Sequence, residues 1–151
     1  MISMAFRYPL QSVLRLRQSI ERQEEQRLFA AAAIVARLRA EIEEFERARL
    51  ERRQAVFEEM MSGCSGATIQ FAAIGDAAAA GTHRKLQVQL VEAERHRLEQ
   101  LSVYRRARQK REIFESLREH QQAVHEREVA RREQESADEA FLIQYIAASH
   151  E

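Results

Sequence analysis

The chain is poor in the residues that turn or staple a fold, with one proline, one cysteine and four glycines in 151 residues. So few breakers exclude the many turns of an ordinary globular fold and leave long helices. The single Cys64 rules out an internal disulfide, and a closed structural zinc site would lack its usual thiolates. Long apolar runs are missing too. None approaches the roughly 20 residues of a membrane helix, and no apolar segment ends in a small-residue cleavage site near the start. A cytoplasmic protein without direct membrane insertion is expected. Net charge is zero, which removes a general electrostatic pull toward nucleic acid or anionic membrane. Lysine is nearly absent, since Lys85 and Lys110 are the only two among 24 basic residues. The positive charge is therefore guanidinium, which forks onto carboxylates and lies over aromatic rings.

What is present is a helical pattern. The 45% hydrophobic content is inflated by alanine, so the large apolar residues form stripes rather than a ball. Pro9 fits a first helical turn, where its missing N–H would have had no partner. The first helix is expected over about 9–61. Its apolar and small positions recur three and four apart through Leu14, Leu28, Ala31, Val35, Leu38, Ile42 and Phe45, with Val56 and Met60 continuing the stripe. Arg17, Glu21, Glu24, Arg49 and Arg52 interrupt it. Ser62-Gly63-Cys64-Ser65-Gly66 ends the helix and permits a reversal over about 62–67, with Ser65 or Thr68 to cap the next helix.

The second helix is expected over about 68–147, soft near 75–81, because Gly75 and Gly81 each cost ~1 kcal/mol relative to alanine. Leu86, Leu90, Ala93, Leu98, Leu101, Tyr104, Ala107, Phe114, Leu117, Val124 and Phe141 mark its stripe. The spacing suits a coiled coil and an amphipathic bundle helix equally well. With no other core available, the expected fold is all-α, an antiparallel two-helix coiled-coil hairpin forming one domain over 1–151, its second helix the longer. Around it Arg and Glu alternate at i,i+4, as in Arg37 with Glu41, Arg39 with Glu43, Arg108 with Glu112 and Glu128 with Arg132.

Two registers fit the stripes. A late turn, with 62–80 as loop, sets Leu28 opposite Phe114, Leu38 opposite Tyr104 and Val56 opposite Leu86. An early turn at Gly63–Gly66 sets Leu14 opposite Leu117, Leu28 opposite Tyr104 and Phe45 opposite Leu86. The early turn is preferred, because structureless loops near twenty residues are uncommon. It leaves the end of the second helix without an apolar partner.

Catalytic chemistry finds no support. The glycines form no phosphate-binding loop, His120 and His125 are splayed by their spacing, Glu92 with His96 is a lone pair, and Cys64 has no local base. No enzyme, cofactor or metal is expected, and the histidines read as solvated. Tyr104-Arg-Arg-Ala-Arg-Gln-Lys-Arg111 holds five positive charges before Glu112. It reads as a solvated face, a seat for an acidic protein or a tracker of phosphates.

The order of features resembles the FliJ family of flagellar type III export proteins. It is carried by Phe6-x-Tyr8-x-Leu10-x-x-Val13-Leu14-x-Leu16-Arg17, the Glu24-Glu25 pair and the Gly/Ser break. Later come Lys110-Arg-Glu-x-Phe114-Glu115-x-Leu117-x-Glu119, Arg132-Glu133-Gln134-Glu135 and Asp138-Glu139, so the match runs from about Met4 through the chain. The resemblance implies a non-enzymatic stalk that inserts its terminal end into a hexameric flagellar export ATPase, stimulates it, meets the export gate protein FlhA with the start of the second helix, and handles export chaperones. It implies a place peripheral to the inner membrane at the flagellar base and a role in motility. One stalk inside a six-fold ring meets six similar sites with one asymmetric face. Arg15, Arg17, Arg22, Arg127, Arg131 and Arg132, with Gln134, Asp138 and Glu139, are the candidate ring contacts. Ile69, Phe71 and Ile74 are the candidate gate contacts, on a flatter surface than the family usually presents. The equivalent stalk of a virulence-type injectisome is the nearest alternative, and a nucleic-acid-binding hairpin built on 104–111 is the alternative from another class.

Overall fold

The computed structural model describes residues 5–149, so the ends of the expected 1–151 domain, Met4 included, lie outside the described residues. Two helices account for nearly all of them: α1, Gln11–Ser62, of 52 residues, and α2, Gly66–Ala148, of 83. They pack against each other as a helical hairpin whose second helix is the longer, with no strand among the described residues. Pro9 stands just ahead of α1, in a turn where the Gln11 N–H donates to the Tyr8 carbonyl at 3.2 Å.

The reversal is short and built from local chemistry. Gly63 takes the left-handed conformation that ends helices, at φ 91°, and its N–H donates to the Met60 carbonyl at 3.3 Å. Of the two candidate caps Ser65 is the one used, its hydroxyl accepting the Thr68 N–H at 3.3 Å and bonding the Thr68 hydroxyl at 3.0 Å. The helix runs unbroken through Gly75 and Gly81.

The chain divides into two compact units, Arg22–Arg105 and the pair of segments Met1–Glu21 and Arg106–Glu151. In the first unit the buried seam is Ala31, Val35, Leu38 and Ile42 of α1 with Ala79 of α2. Leu28, Phe45, Leu86, Leu90, Leu101 and Tyr104 are half-buried beside it. Cross-helix partners run in inverse order. The Gln100 amide donates to Glu24 at 2.5 Å, Arg39 pairs with Glu94 at 2.6 Å, and His83 meets Glu46 at 2.8 Å while its ring stacks on Phe45. These pairs belong to the register of a chain that turns at residues 63–65. Glu24 is buried rather than a plain interruption, because Arg27 and Gln100 both donate to it. Arg39 crosses to α2 instead of pairing with Glu43 along its own helix.

In the other unit Leu14 is fully buried, at 0% exposure, together with Tyr8 and Ala107. The Tyr8 hydroxyl donates to the Phe114 carbonyl at 2.9 Å, so the turn before α1 is fastened to α2 by a buried aromatic. Phe6 lies against His125 with ring centroids 5.6 Å apart, which makes His125 a packed side chain rather than a solvated one. Leu117, expected opposite Leu14, is 39% exposed instead. Its spacing from Ile113 and His120 puts it on an outer strip of α2, at the edge of the face that carries Ala107, Arg111 and Phe114. Leu98, Val124, Phe141 and Met60 are likewise exposed. A helix turns ~100° per residue, so a stripe followed one position out of phase leaves the seam.

Candidate interaction surfaces

Among the described residues the grooves and pockets open to solvent, and the polar and apolar features lie on surfaces. Among the described residues no group of three His, Cys, Asp or Glu side chains could hold a metal ion. No helix there is long and apolar enough to cross a membrane.

In the Arg22–Arg105 unit, the residues flanking the reversal form an open groove of roughly 700 Å³. Val56, Phe57 and Met60 of α1 line it with Ile69, Phe71 and Ala72 of α2. Of the three expected gate residues, Ile69 and Phe71 line the groove and Ile74 does not, although all three are exposed, Phe71 at 81%. Asp76 anchors one wall. Arg49 donates to its carboxylate at 2.7 and 3.0 Å, and Arg53 at 3.0 and 2.8 Å. Those hydrogen bonds, Arg49 first and then Arg53, hold the Asp76 carboxyl well below its ordinary value of 3.8. The clamp lies where α2 offers only alanine and glycine between Ala72 and Ala80 apart from Ile74 and Asp76 itself, so charge supplies the cross-helix hold that large apolar residues supply at Val35 and Leu38. Sequence reasoning missed Phe57 and the clamp, because both depend on which residues of α1 meet Asp76.

In the other unit, the nine expected ring residues divide. Arg17 is half-buried with its guanidinium 5.9 Å over the Phe114 ring, and its Nε has no hydrogen-bond partner. Arg15 is exposed; Arg22 is exposed too but falls in the Arg22–Arg105 unit. The α2 residues form a local network. Arg131 and Arg132 both donate to Glu128, at 2.8 and 3.1 Å, Arg131 also holds Glu135, and Gln134 donates to Asp138 at 3.0 Å. Arg127 donates to the Ala123 carbonyl. Glu128 is drawn from its ordinary 4.5 down to about 2 by the hydrogen bond from Arg131 and then that from Arg132. From Ala130 to Ser149 every described residue is exposed, including Phe141, Leu142, Ile143, Tyr145 and Ile146.

The basic stretch does not present one positive face. Ala107 is buried, Arg108 pairs with Glu112 at 2.9 Å, and Arg111 turns inward to Glu21 at 2.7 Å and to Glu115. The bond to Glu21, and then that to Glu115, raise the Arg111 pKa above its ordinary value and keep it charged.

A helical hairpin with an apolar groove and a long helix end exposed to solvent has the features of proteins that act by docking. Residues 6–150 match the family model described as flagellar FliJ protein, and the chain belongs to the FliJ family. Membership carries a type III, flagellar export-related role as a non-catalytic component that interacts with the export apparatus. No curated protein and no solved structure matches the chain significantly.

Proposed function

We propose that the chain is the stalk of the flagellar export ATPase: the end of α2 enters the hexameric ring and stimulates it, and the groove beside the reversal meets the export gate protein FlhA. Export chaperones are further partners, and the working place is cytoplasmic, peripheral to the inner membrane at the flagellar base. The observation that carries this reading is the run of α2 from Ala130 to Ser149, helical to Ala148, exposed on every side and ending in five large apolar residues. A helix that buries nothing of its own is a surface for something else. Ring contact falls to Arg127, Arg131, Arg132, Gln134, Asp138 and Glu139 on α2 and to Arg15, Arg17 and Arg22 on α1. Gate contact falls to Ile69 and Phe71 in the groove, with Ile74 outside it. Pairing of Arg108 and Arg111 with carboxylates weakens the nucleic-acid alternative, which needs free cations along a phosphate track. The test is ATP hydrolysis by the cognate export ATPase with and without the chain. Stimulation by a chain that hydrolyses no ATP itself is expected, and an unchanged rate at saturating chain contradicts the proposal.

A further inference from the structure

The first acidic residue of the chain is Glu21, and the residues before it carry Arg7, Arg15 and Arg17. Arg7 and Arg15 meet Arg118 of α2 around an open pocket of roughly 750 Å³, walled by Phe6, Pro9 and Ser12 and lined by no Asp or Glu. Several arginines elsewhere on this chain close onto carboxylates, as Arg27, Arg37, Arg95, Arg108 and Arg131 do. Among the described residues Arg7, Arg15 and Arg118 have no ion pair and no hydrogen bond from their side chains. Three guanidiniums around one pocket repel one another, and an entering anion relieves that repulsion.

We propose that this pocket is a carboxylate-binding site that takes an acidic segment, two or more Asp or Glu side chains, of a partner protein. Guanidinium forks match carboxylates with two parallel hydrogen bonds, as Arg49 does on Asp76 and Arg111 on Glu21. A discrete phosphate is the poorer fit, because such sites fix their donors, whereas all three arginines here are exposed on long flexible side chains. The site deepens the stalk reading and rests on it only for which protein supplies the acids.

The test uses the full chain and a fluorescent hexaglutamate peptide, followed by anisotropy. Arg7→Glu, Arg15→Glu and Arg118→Glu together are expected to weaken binding at least tenfold. Arg84→Glu, Lys85→Glu and Arg105→Glu together change net charge equally and are expected to cost less than twofold. Arg7→Gln, Arg15→Gln and Arg118→Gln provide a milder triple if the reversals lose helicity by circular dichroism. Absence of wild-type binding, equal losses in both triples, or displacement of the peptide by pyrophosphate well below the peptide's own Kd overturns the proposal. The same variants are then measured for binding to the hexameric export ATPase. If the peptide result holds and the wild-type chain does not bind the ring, the pocket stands and the stalk reading falls.

Discussion

Residues 31–42 of α1 and 130–148 of α2 are both continuous helix, yet the first stretch buries Ala31, Val35, Leu38 and Ile42 and the second buries nothing. The difference lies in phase as well as in hydrophobic content, which is lower over 130–148. In α1 the large residues recur at three and four and share one face. In α2 Phe141, Leu142, Ile143, Tyr145 and Ile146 are bunched and point around the helix, so no single neighbour could cover them all. Helicity in the first stretch is secured by packing. In the second it rests on propensity and on solvent-screened ion pairs such as Arg131 with Glu128 and Glu135. A segment held that way is free to bind.

Deleting residues 126–151 breaks the comparison most sharply. Stimulation of the export ATPase is expected to disappear while the thermal midpoint of the remaining chain moves by only a few degrees, measured by turnover and by circular dichroism. Next in size, Leu38→Ala or Ile42→Ala removes a buried seam residue and is expected to cost about 2–3 kcal/mol in urea unfolding, near the lower end for core truncations. Phe141→Ala is expected to stay within about 0.5 kcal/mol, as exposed sites do.

Arg111→Met separates a polar part of the hairpin from its apolar seam. Glu21 would keep a side chain only 16% exposed without the guanidinium that neutralises it. A loss of about 1–2 kcal/mol is expected, below that of a fully buried pair because both side chains still touch water.

The smallest effect is in pH. Asp76 has its pKa depressed by Arg49 and Arg53, so its contribution is complete above 3.8 and fades as pH falls from there toward the lowered value. Glu128 follows the same sign between 4.5 and about 2. Hydrogen exchange near residues 49–53 is expected to quicken below pH 4, and Asp76→Asn to remove that dependence. An unaltered pH profile in the variant would show that the clamp contributes nothing there.

Much of the hairpin was legible in the residues. Gly63 and Ser65 announce the reversal, and large residues at three-four spacing give Val35, Leu38 and Ile42 as core. Where the seam is polar the stripe stops reporting. Glu24 is about as buried as Ala79, and only the meeting with Gln100 on the other helix explains why. Leu98 and Leu117 were misplaced because a stripe carried along 83 residues drifts in phase when alanine and arginine hold the seam positions. Tyr8 is buried by the contact of the turn before α1 with α2, which no periodicity records. Arg7 and Arg118 lie 111 positions apart in the chain and converge only once the register is known.

The exposed end of α2 is the surface proposed to engage the ring. Hydrogen exchange of the full chain, alone and with the hexameric export ATPase, tests this directly. Amides of residues 130–148 are expected to exchange fast in the free chain and to gain at least tenfold protection in the complex, while those of residues 31–42 change little. Protection confined to residues 31–42, or to the groove beside the reversal, with residues 130–148 unchanged, would contradict it.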